Sequence, residues 1–524
     1  MQKAARIVVV VLALAASLGV PGGSWAQEQI FRVNNLAEPE SLDPGLVTGV
    51  PEHRIISNLF EGLAVNDPKD LSPQPGMAKS WTISKDGLTY TFTLRDATWT
   101  DGKKVTAQDF VYAWERVLNP KTGAKYAQQL YYLKNGEEYN KGKVTDFSQV
   151  GVKATDDKTL VVTLHAPTPY FLFLTTFYTL YPVPKWAIEA HGGDWVKPGK
   201  IVSNGPFKLA SWVPQRELVL EKNPAHWDAA NTKLQKAVYI PTDDMNTAYK
   251  QFLAGDSDWL TGVPPAQIEA ARGKPEYYVT PYLGTYYFRF NVTKAPTSDV
   301  RVRKALSMAV DREALTKFVT KAGEIPTSSF VPVNMPGYEG VRGLPFDGAA
   351  AKKALAEAGF PDGKGFPKVE LVYNTSDLHR TITQAVQQMW KETLGIQVDL
   401  VNVEWKVYLA RQSALDFQVS RAGWIGDYVD PNTFLDMWIT GGGNNQTGWS
   451  NKRYDELIVR AGRTLDAKER MKLFNDAEKL LVAEDVPIMP LYTYVNKGML
   501  NRKVKGWSPN ILDQHPLKYI SIEK

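Results

Sequence analysis

The sequence predicts a mixed α/β protein of more than one domain, and three observations predict it. The chain has 524 residues, 44% hydrophobic and 22% charged, enough for two or three domains of ordinary size, each with an apolar core. Segments with strand alternation and segments with helical spacing are interleaved along the whole length. In the second half, a strand over 369–373, a helix over 381–394 stopped by Gly395 and a strand over 398–403 make a βαβ unit. Its strands should run parallel with a right-handed crossover.

Taken in order, residues 1–26 read as a secretory signal peptide. Lys3 and Arg6 precede an apolar run over 7–20, then Pro21-Gly22-Gly23 and Ser24-Trp25-Ala26, with cleavage expected after Ala26. The run is shorter than the roughly 20 residues of a membrane span. A strand is expected over 89–94, with Tyr90, Phe92 and Leu94 on one face after the Asp86-Gly87 turn. Another is expected over 159–165. Between them Thr106 caps a helix with Asp109 in its first turn and Phe110, Trp114 and Val117 on one face, until Asn119-Pro120 stops it. Further helices are expected over 301–310, over 349–358 (Asp347 as cap, Gly359 after the end) and over 469–484. Segments 331–348 and 440–450, rich in Pro and Gly, read as surface loops. There is no internal repeat and no long linker.

Composition excludes several functions. With no cysteine there is no disulfide, thiolate metal site, cysteine nucleophile or lipid-modified N-terminal cysteine. The net charge of +5, reduced to +3 once Lys3 and Arg6 are removed, is too balanced for a nucleic-acid footprint. Neither a nucleophile elbow, a phosphate loop, a dinucleotide fingerprint nor a zinc helix is present, and the six histidines are at least 26 residues apart. No enzyme activity, metal or cofactor is therefore expected. The pairs Asp156-Asp157 and Asp243-Asp244 read as solvated turn charge. The 15 Trp, 24 Tyr and 20 Phe are many, mostly core, with some available for a binding surface.

One stretch carries more: Arg421-Ala422-Gly423-Trp424-Ile425-Gly426-Asp427-Tyr428, followed by Val429-Asp430-Pro431. It resembles the peptide-binding segment of the periplasmic oligopeptide-binding proteins of ABC importers, within the wider dipeptide, oligopeptide and nickel family. Collinear matches extend over essentially the whole mature chain. They include Ser41-Leu42-Asp43-Pro44, Leu59-Phe60-Glu61-Gly62-Leu63, Trp99-Thr100-Asp101-Gly102, Asn204-Gly205-Pro206-Phe207 and Tyr373-Asn374-Thr375-Ser376-Asp377-Leu378-His379.

The resemblance implies a two-lobed periplasmic-binding-protein fold of the large three-domain type, with a strand hinge, closing over a short extended peptide. Domain I would take 27–60, 186–283 and 496–524, domain II 61–185, and domain III 284–495. Asp427 matches the residue that pairs with the peptide ammonium. Thr48, Gly49 and Val50 on one side, and Gly423, Trp424 and Ile425 on the other, match the segments that bind peptide backbone by strand addition. Arg421 and His379 match two cations for the peptide carboxylate, and Tyr126, Tyr282, Tyr287, Trp405 and Trp424 match aromatic walls of side-chain pockets.

The chain also departs from the family pattern. Thr320 and Gln412 stand where a lysine and an arginine are known, with Lys321 and Arg411 next door. Thr48 replaces a glutamate, and Gly284 and Ile425 replace two positions that can hold cysteines. The partners implied are short peptides and the permease subunits of an ABC importer, with no nucleic acid, for a periplasmic monomer.

Overall fold

The structure is a computed structural model and describes residues 29–168, 170–335, 337–464 and 466–523. The predicted signal peptide and its cleavage after Ala26 lie outside those residues.

The first part of the chain gives β1 (Ile30–Asn34) and α1 (Val50–Leu59), which starts from Gly49 with Pro51 in its first turn, where a missing N–H costs nothing. It continues with β2 (Ala78–Ile83), β3 (Thr89–Leu94), α2 (Ala107–Leu118), β4 (Val152–Asp156) and β5 (Thr159–Thr163). These four later strands form an antiparallel sheet in the order β2-β3-β5-β4. As expected, Tyr90, Phe92 and Leu94 bury one face of it, opposite Leu160 and Val162. At the start of α2 the Asp109 carboxylate accepts the Thr106 N–H at 2.8 Å and the Trp99 indole N–H at 3.3 Å, which fixes how the helix enters the core. The strand expected over 159–165 ends two residues early, at Thr163.

Further elements include β6 (Phe207–Val213), β7 (Glu217–Lys222), β8 (Lys236–Ile240), α3 (Met245–Ala254), β9 (Trp259–Leu260), β10 (Tyr277–Phe290), α4 (Val300–Met308), β11 (Ile325–Pro326), α5 (Gly348–Glu357) and β12 (Val369–Asn374). Then come α6 (Asp377–Leu394), β13 (Val398–Val403), α7 (Trp405–Ser413), β14 (Val419–Ile425), α8 (Ala467–Lys479) and β15 (Ile488–Leu500). An eleven-stranded sheet runs β13-β12-β14-β10-β15-β9-β1-β8-β7-β6, with β11 on β15. The predicted βαβ unit is present, with β12 and β13 parallel and Val369 opposite Val398.

Helix α6 starts at Asp377, four residues before the expected start, because Ser376 is the extended residue (φ −173°, ψ 137°) from which the helix departs. The turn it adds, Asp377-Leu378-His379-Arg380, is mostly polar and shows no helical apolar spacing. The helix expected over 469–484 starts at Ala467 and widens to a π-helical turn over Leu480–Glu484.

The two lobes are the two ends of this sheet, and β10 and β15 run through both. They pair antiparallel along their length, with a register shift between Pro281 and Thr285. Pro281 has no N–H to give, and Leu283 donates instead to the Ile511 carbonyl at 2.7 Å, so the ladder is interrupted where the chain leaves one lobe for the other.

Candidate ligand-binding cleft

A cavity of about 360 Å³ lies between the lobes, within the size range of small-ligand sites. Its second-lobe wall is built on β14. One edge of that strand pairs with β10 from Val419 to Ile425, whereas on the other edge β12 pairs only with Val419 and Ser420. From Arg421 to Ile425 that edge carries no strand among the described residues. Antiparallel parity decides which groups face it. Gly426 donates to Leu283 on the β10 side, so Arg421, Gly423 and Ile425 turn their N–H and C=O groups the other way. The Tyr408 hydroxyl, which donates to the Arg421 carbonyl at 2.6 Å, marks that side. The expectation that Trp424 serves through its backbone is thereby corrected: its backbone faces β10, and its indole donates to the Thr433 carbonyl at 2.7 Å in the cavity wall. A Cβ on Gly423 would lie 2.4 Å from the Tyr494 hydroxyl, so any other residue there would have to push aside the ring that holds Arg421.

The opposite wall corrects a second expectation. Thr48, Gly49 and Val50 line the cavity, but they are not a strand. Val50 opens α1, and the Gly49 carbonyl already accepts the His53 N–H at 3.0 Å, so this side offers a loop and a first helical turn.

Asp427 follows β14 at one end of the cleft. It is 8% exposed, and its side chain accepts from the Gln129 amide of the other lobe at 3.0 Å, while its own N–H donates to Thr433 Oγ1 at 2.9 Å. No basic side chain pairs with it among the described residues, and burial, reinforced by nearby Asp436, raises its pKa well above the carboxylate range.

Arg421 is the mirror case. Its guanidinium donates to Asn374 Oδ1 at 3.2 Å and to the Tyr494 hydroxyl at 3.1 Å, and lies 4.9 Å over the Tyr286 ring. No carboxylate pairs with it among the described residues. His379 sits beside it, with Nδ1 3.3 Å from the Tyr286 hydroxyl. Burial, and then the Arg421 charge, hold the imidazole well below its usual pKa. His379 is therefore neutral at pH 7, which corrects its expected role as a second cation: it can offer a hydrogen bond, not a charge.

Of the aromatic walls, Tyr126, Tyr282, Trp405 and Trp424 line the cavity. Tyr126 and Trp424 face each other across the lobes at 5.9 Å. Tyr287 does not line it. Its ring is fully buried against Phe330 (5.0 Å) and Trp438 (5.9 Å), on a strand whose alternate residues face opposite sides, so it is core. Thr320 and Gln412 also stand away from the cavity: Thr320 donates to Glu324 at 2.7 Å, and Gln412 accepts from Arg289 at 2.8 Å. Neighbouring Arg411 is held by Glu370 at 3.0 Å.

Several residues at the cleft escaped the sequence reading. Glu52, fully buried, accepts the Trp405 indole from the other lobe at 3.2 Å, and burial raises its pKa to about 7. Asp436, also raised to about 7 by burial, meets Tyr132 of the other lobe at 3.4 Å. Asp243, read as solvated turn charge, lines the cavity, while Asp244 caps α3 at Thr247 (2.7 Å). Tyr494 and Lys497 come from the crossing strand β15. Only the long alternation of β15 was available as a signal, and it does not say which face meets a cleft. Among the described residues no cluster of His, Asp and Glu could hold a metal ion, and no helix is long and apolar enough to cross a membrane.

Residues 72–446 match the bacterial extracellular solute-binding proteins, family 5 Middle. The chain belongs to that family. The periplasmic oligopeptide-binding protein OppA of Salmonella typhimurium is 38% identical over 99% of this chain and 97% of its own length. Among solved structures, the Haemophilus influenzae OppA complex with RPPGFSPFR matches with a TM-score of 0.91 at 34% identity, over 95% of this chain and 100% of that one. The Escherichia coli murein tripeptide-binding protein MppA matches at 0.91 with 38% identity, over 95% of this chain and 99% of that one. Its unliganded open form, equally identical and covering 95% of this chain and 98% of that one, matches at only 0.62. The sequence is the same in the last two comparisons, so the difference is conformational, and this structure has the closed arrangement of a family-5 protein. That is the two-lobed fold with a strand hinge that the resemblance implied.

Proposed function

We propose that this family-5 protein is an extracytoplasmic receptor that closes over short peptides and delivers them to the permease subunits of an ABC importer. The observation that carries the reading is a buried carboxyl group and a buried guanidinium, neither with an ionic partner among the described residues, at the two ends of an open strand edge. Burial favours the neutral form of Asp427, and a peptide ammonium is the partner that would stabilise its ionised form; breaking such a buried pair costs on the order of 3 to 5 kcal/mol. Arg421 is the complementary group for a carboxylate, and between them Gly423 and Ile425 present the donors and acceptors that an extended peptide backbone needs. Trp405, Tyr126, Tyr282 and the Trp424 ring then give side chains apolar room without selecting strongly among them.

In this reading the division stays as the family pattern draws it: domain I 27–60, 186–283 and 496–524, domain II 61–185, domain III 284–495. The signal peptide directs the chain to the periplasm, where it works as a monomer without lipid, metal or cofactor, and it binds its solute without transforming it. Mass spectrometry of ligand released from freshly purified protein, with titration of free and N-acetylated peptides, tests the reading. Intact short peptides and a strong preference for free amino termini are expected. Fragments of an added peptide, or equal affinity for acetylated and free forms, overturn it.

A further inference from the structure

The lobes also meet outside the ligand cavity, and Tyr170 is at the centre of that contact. The residue after it, Phe171, is fully buried and packs 5.0 Å from Tyr90 on β3, so Tyr170 is fixed in the lobe that carries Gln129 and Tyr132. Its ring packs on the other lobe. It stacks on Tyr428 with centroids 5.4 Å apart and planes within 7°, and the Arg470 guanidinium lies 5.1 Å from its centroid. The Tyr170 hydroxyl is buried without a hydrogen-bond partner among the described residues, so the ring makes the contact and the oxygen does not.

The surface that receives the ring is held by its own lobe. Arg470, on α8, donates to both Asp430 oxygens at 2.7 Å and to the Ala461 carbonyl at 3.2 Å. The Tyr428 hydroxyl accepts from the Asn432 amide at 2.9 Å, and that amide also reaches across to the Tyr132 hydroxyl at 2.6 Å. Nearby the backbones of the two lobes come close, since a Cβ on Gly443 would lie 2.6 Å from the Lys125 carbonyl. Tyr132, Tyr170, Tyr428, Asn432 and Arg470 do not line the cavity, so these contacts form without any atom of a solute.

We propose that Tyr170 is a latch of closure, a positioning residue that sets the affinity for every solute by one common factor while touching none of them. A solute held by the closed arrangement binds with an apparent dissociation constant equal to the intrinsic one divided by the closed fraction. Weakening closure therefore multiplies every dissociation constant alike. Asp427 and Tyr428 are consecutive, so one residue answers to the solute and the next to the opposite lobe. The inference rests on the receptor reading for its solutes, but its contacts lie outside the site on which that reading depends.

The test uses Tyr170→Ala, Tyr170→Phe and the charge-neutral double variant Arg470→Met/Asp430→Asn, which cut the contact from each lobe in turn, so a folding defect in one lobe does not decide the outcome. Isothermal titration with trialanine, tetraalanine and trilysine reads affinity. Because the chain has no cysteine, exposed Lys153 and Lys452, one on each lobe, can be replaced by Cys to carry a unique pair of spin labels whose distances read the closed fraction. Tyr170→Ala should weaken all the peptides by the same factor, about tenfold or more for a stacked pair and a cation lost together. It should also lower the closed fraction of the unliganded protein, while saturating peptide restores the closed distance of the parent. The double variant should act in the same direction by a smaller factor, and Tyr170→Phe, which keeps the ring, should match the parent. Losses that differ among the peptides by more than about threefold, a Phe variant as weak as the Ala one, or parent affinity in both Tyr170→Ala and the double variant overturn the inference and leave the receptor reading standing. A parent that binds none of the peptides overturns that reading, and the unliganded distances then decide the latch alone: distances unchanged in Tyr170→Ala overturn it.

Discussion

The two ends of the cleft solve opposite problems in different ways. At one end Asp427 is buried near a second acid, Asp436, with a hydrogen bond from Gln129 of the opposing lobe and no cation among the described residues. At the other, Arg421 is layered among Asn374, Tyr286 and Tyr494, with a neutral His379 beside it. In the proposed reading the first end is a fixed point that anchors the ammonium whatever the peptide length, and the second serves only the carboxylates that reach it.

Replacing the fixed point should have the largest effect. Asp427→Ala should weaken peptides of all lengths by about two to three and a half powers of ten, from about 3 to 5 kcal/mol for an orphaned buried charge, measured by isothermal titration. Arg421→Ala should cost a comparable amount for the lengths that end there and much less for others. A uniform loss would erase the contrast between the two ends.

The contrast also has a pH signature. Glu52 and Asp436 meet the other lobe through Trp405 and Tyr132, and burial raises them to about 7 from ordinary values of 4.5 and 3.8. Closure that buries them therefore takes up protons. Its advantage is fully present below those ordinary values and is lost as pH rises through about 7. Unliganded protein should be more compact by small-angle scattering at pH 5 than at pH 8, and Glu52→Gln with Asp436→Asn should reduce the dependence, with Asp427, also raised by burial and met by Gln129 of the other lobe, carrying the rest. The smallest effect belongs to Gln129→Ala, which removes one charge-assisted hydrogen bond across the lobes. About 1.5 to 3 kcal/mol of gross loss is expected, partly offset by water in the open form, so a fall in affinity of about tenfold for free peptides and none for acetylated ones.

Local order was legible in the sequence. The Asp109 contact that starts α2 and the Asp347 cap of α5, which accepts the Ala350 N–H at 2.9 Å, rest on neighbours within a few residues, and the parallel pair β12 and β13 is joined by a single helix. The sites of charge came through the family resemblance, which brought Asp427 and Arg421. What escaped depends on partners far along the chain. Tyr287 was placed in the cleft by the resemblance, and strand alternation, which names two faces without saying which is buried, could not correct it. His379 was read as a cation by the same resemblance, and what keeps it neutral is its burial and then the charge of its neighbour Arg421, 42 positions away in sequence. Glu52 and Gln129 make contacts that span the two lobes, and no spacing records them.

The open edge from Arg421 to Ile425 has one more consequence. An unpaired strand edge is an adhesive surface, and on the outside of a protein it would recruit other chains and seed aggregation. Here it faces inward, into a chamber of about 360 Å³ with aromatic walls. Only a chain short enough to be enclosed can complete the sheet, so folded neighbours and long unfolded segments are refused by geometry. In the proposed reading the cargo is a borrowed strand, and the enclosure that protects the edge from unwanted partners also sets the upper size of the wanted ones.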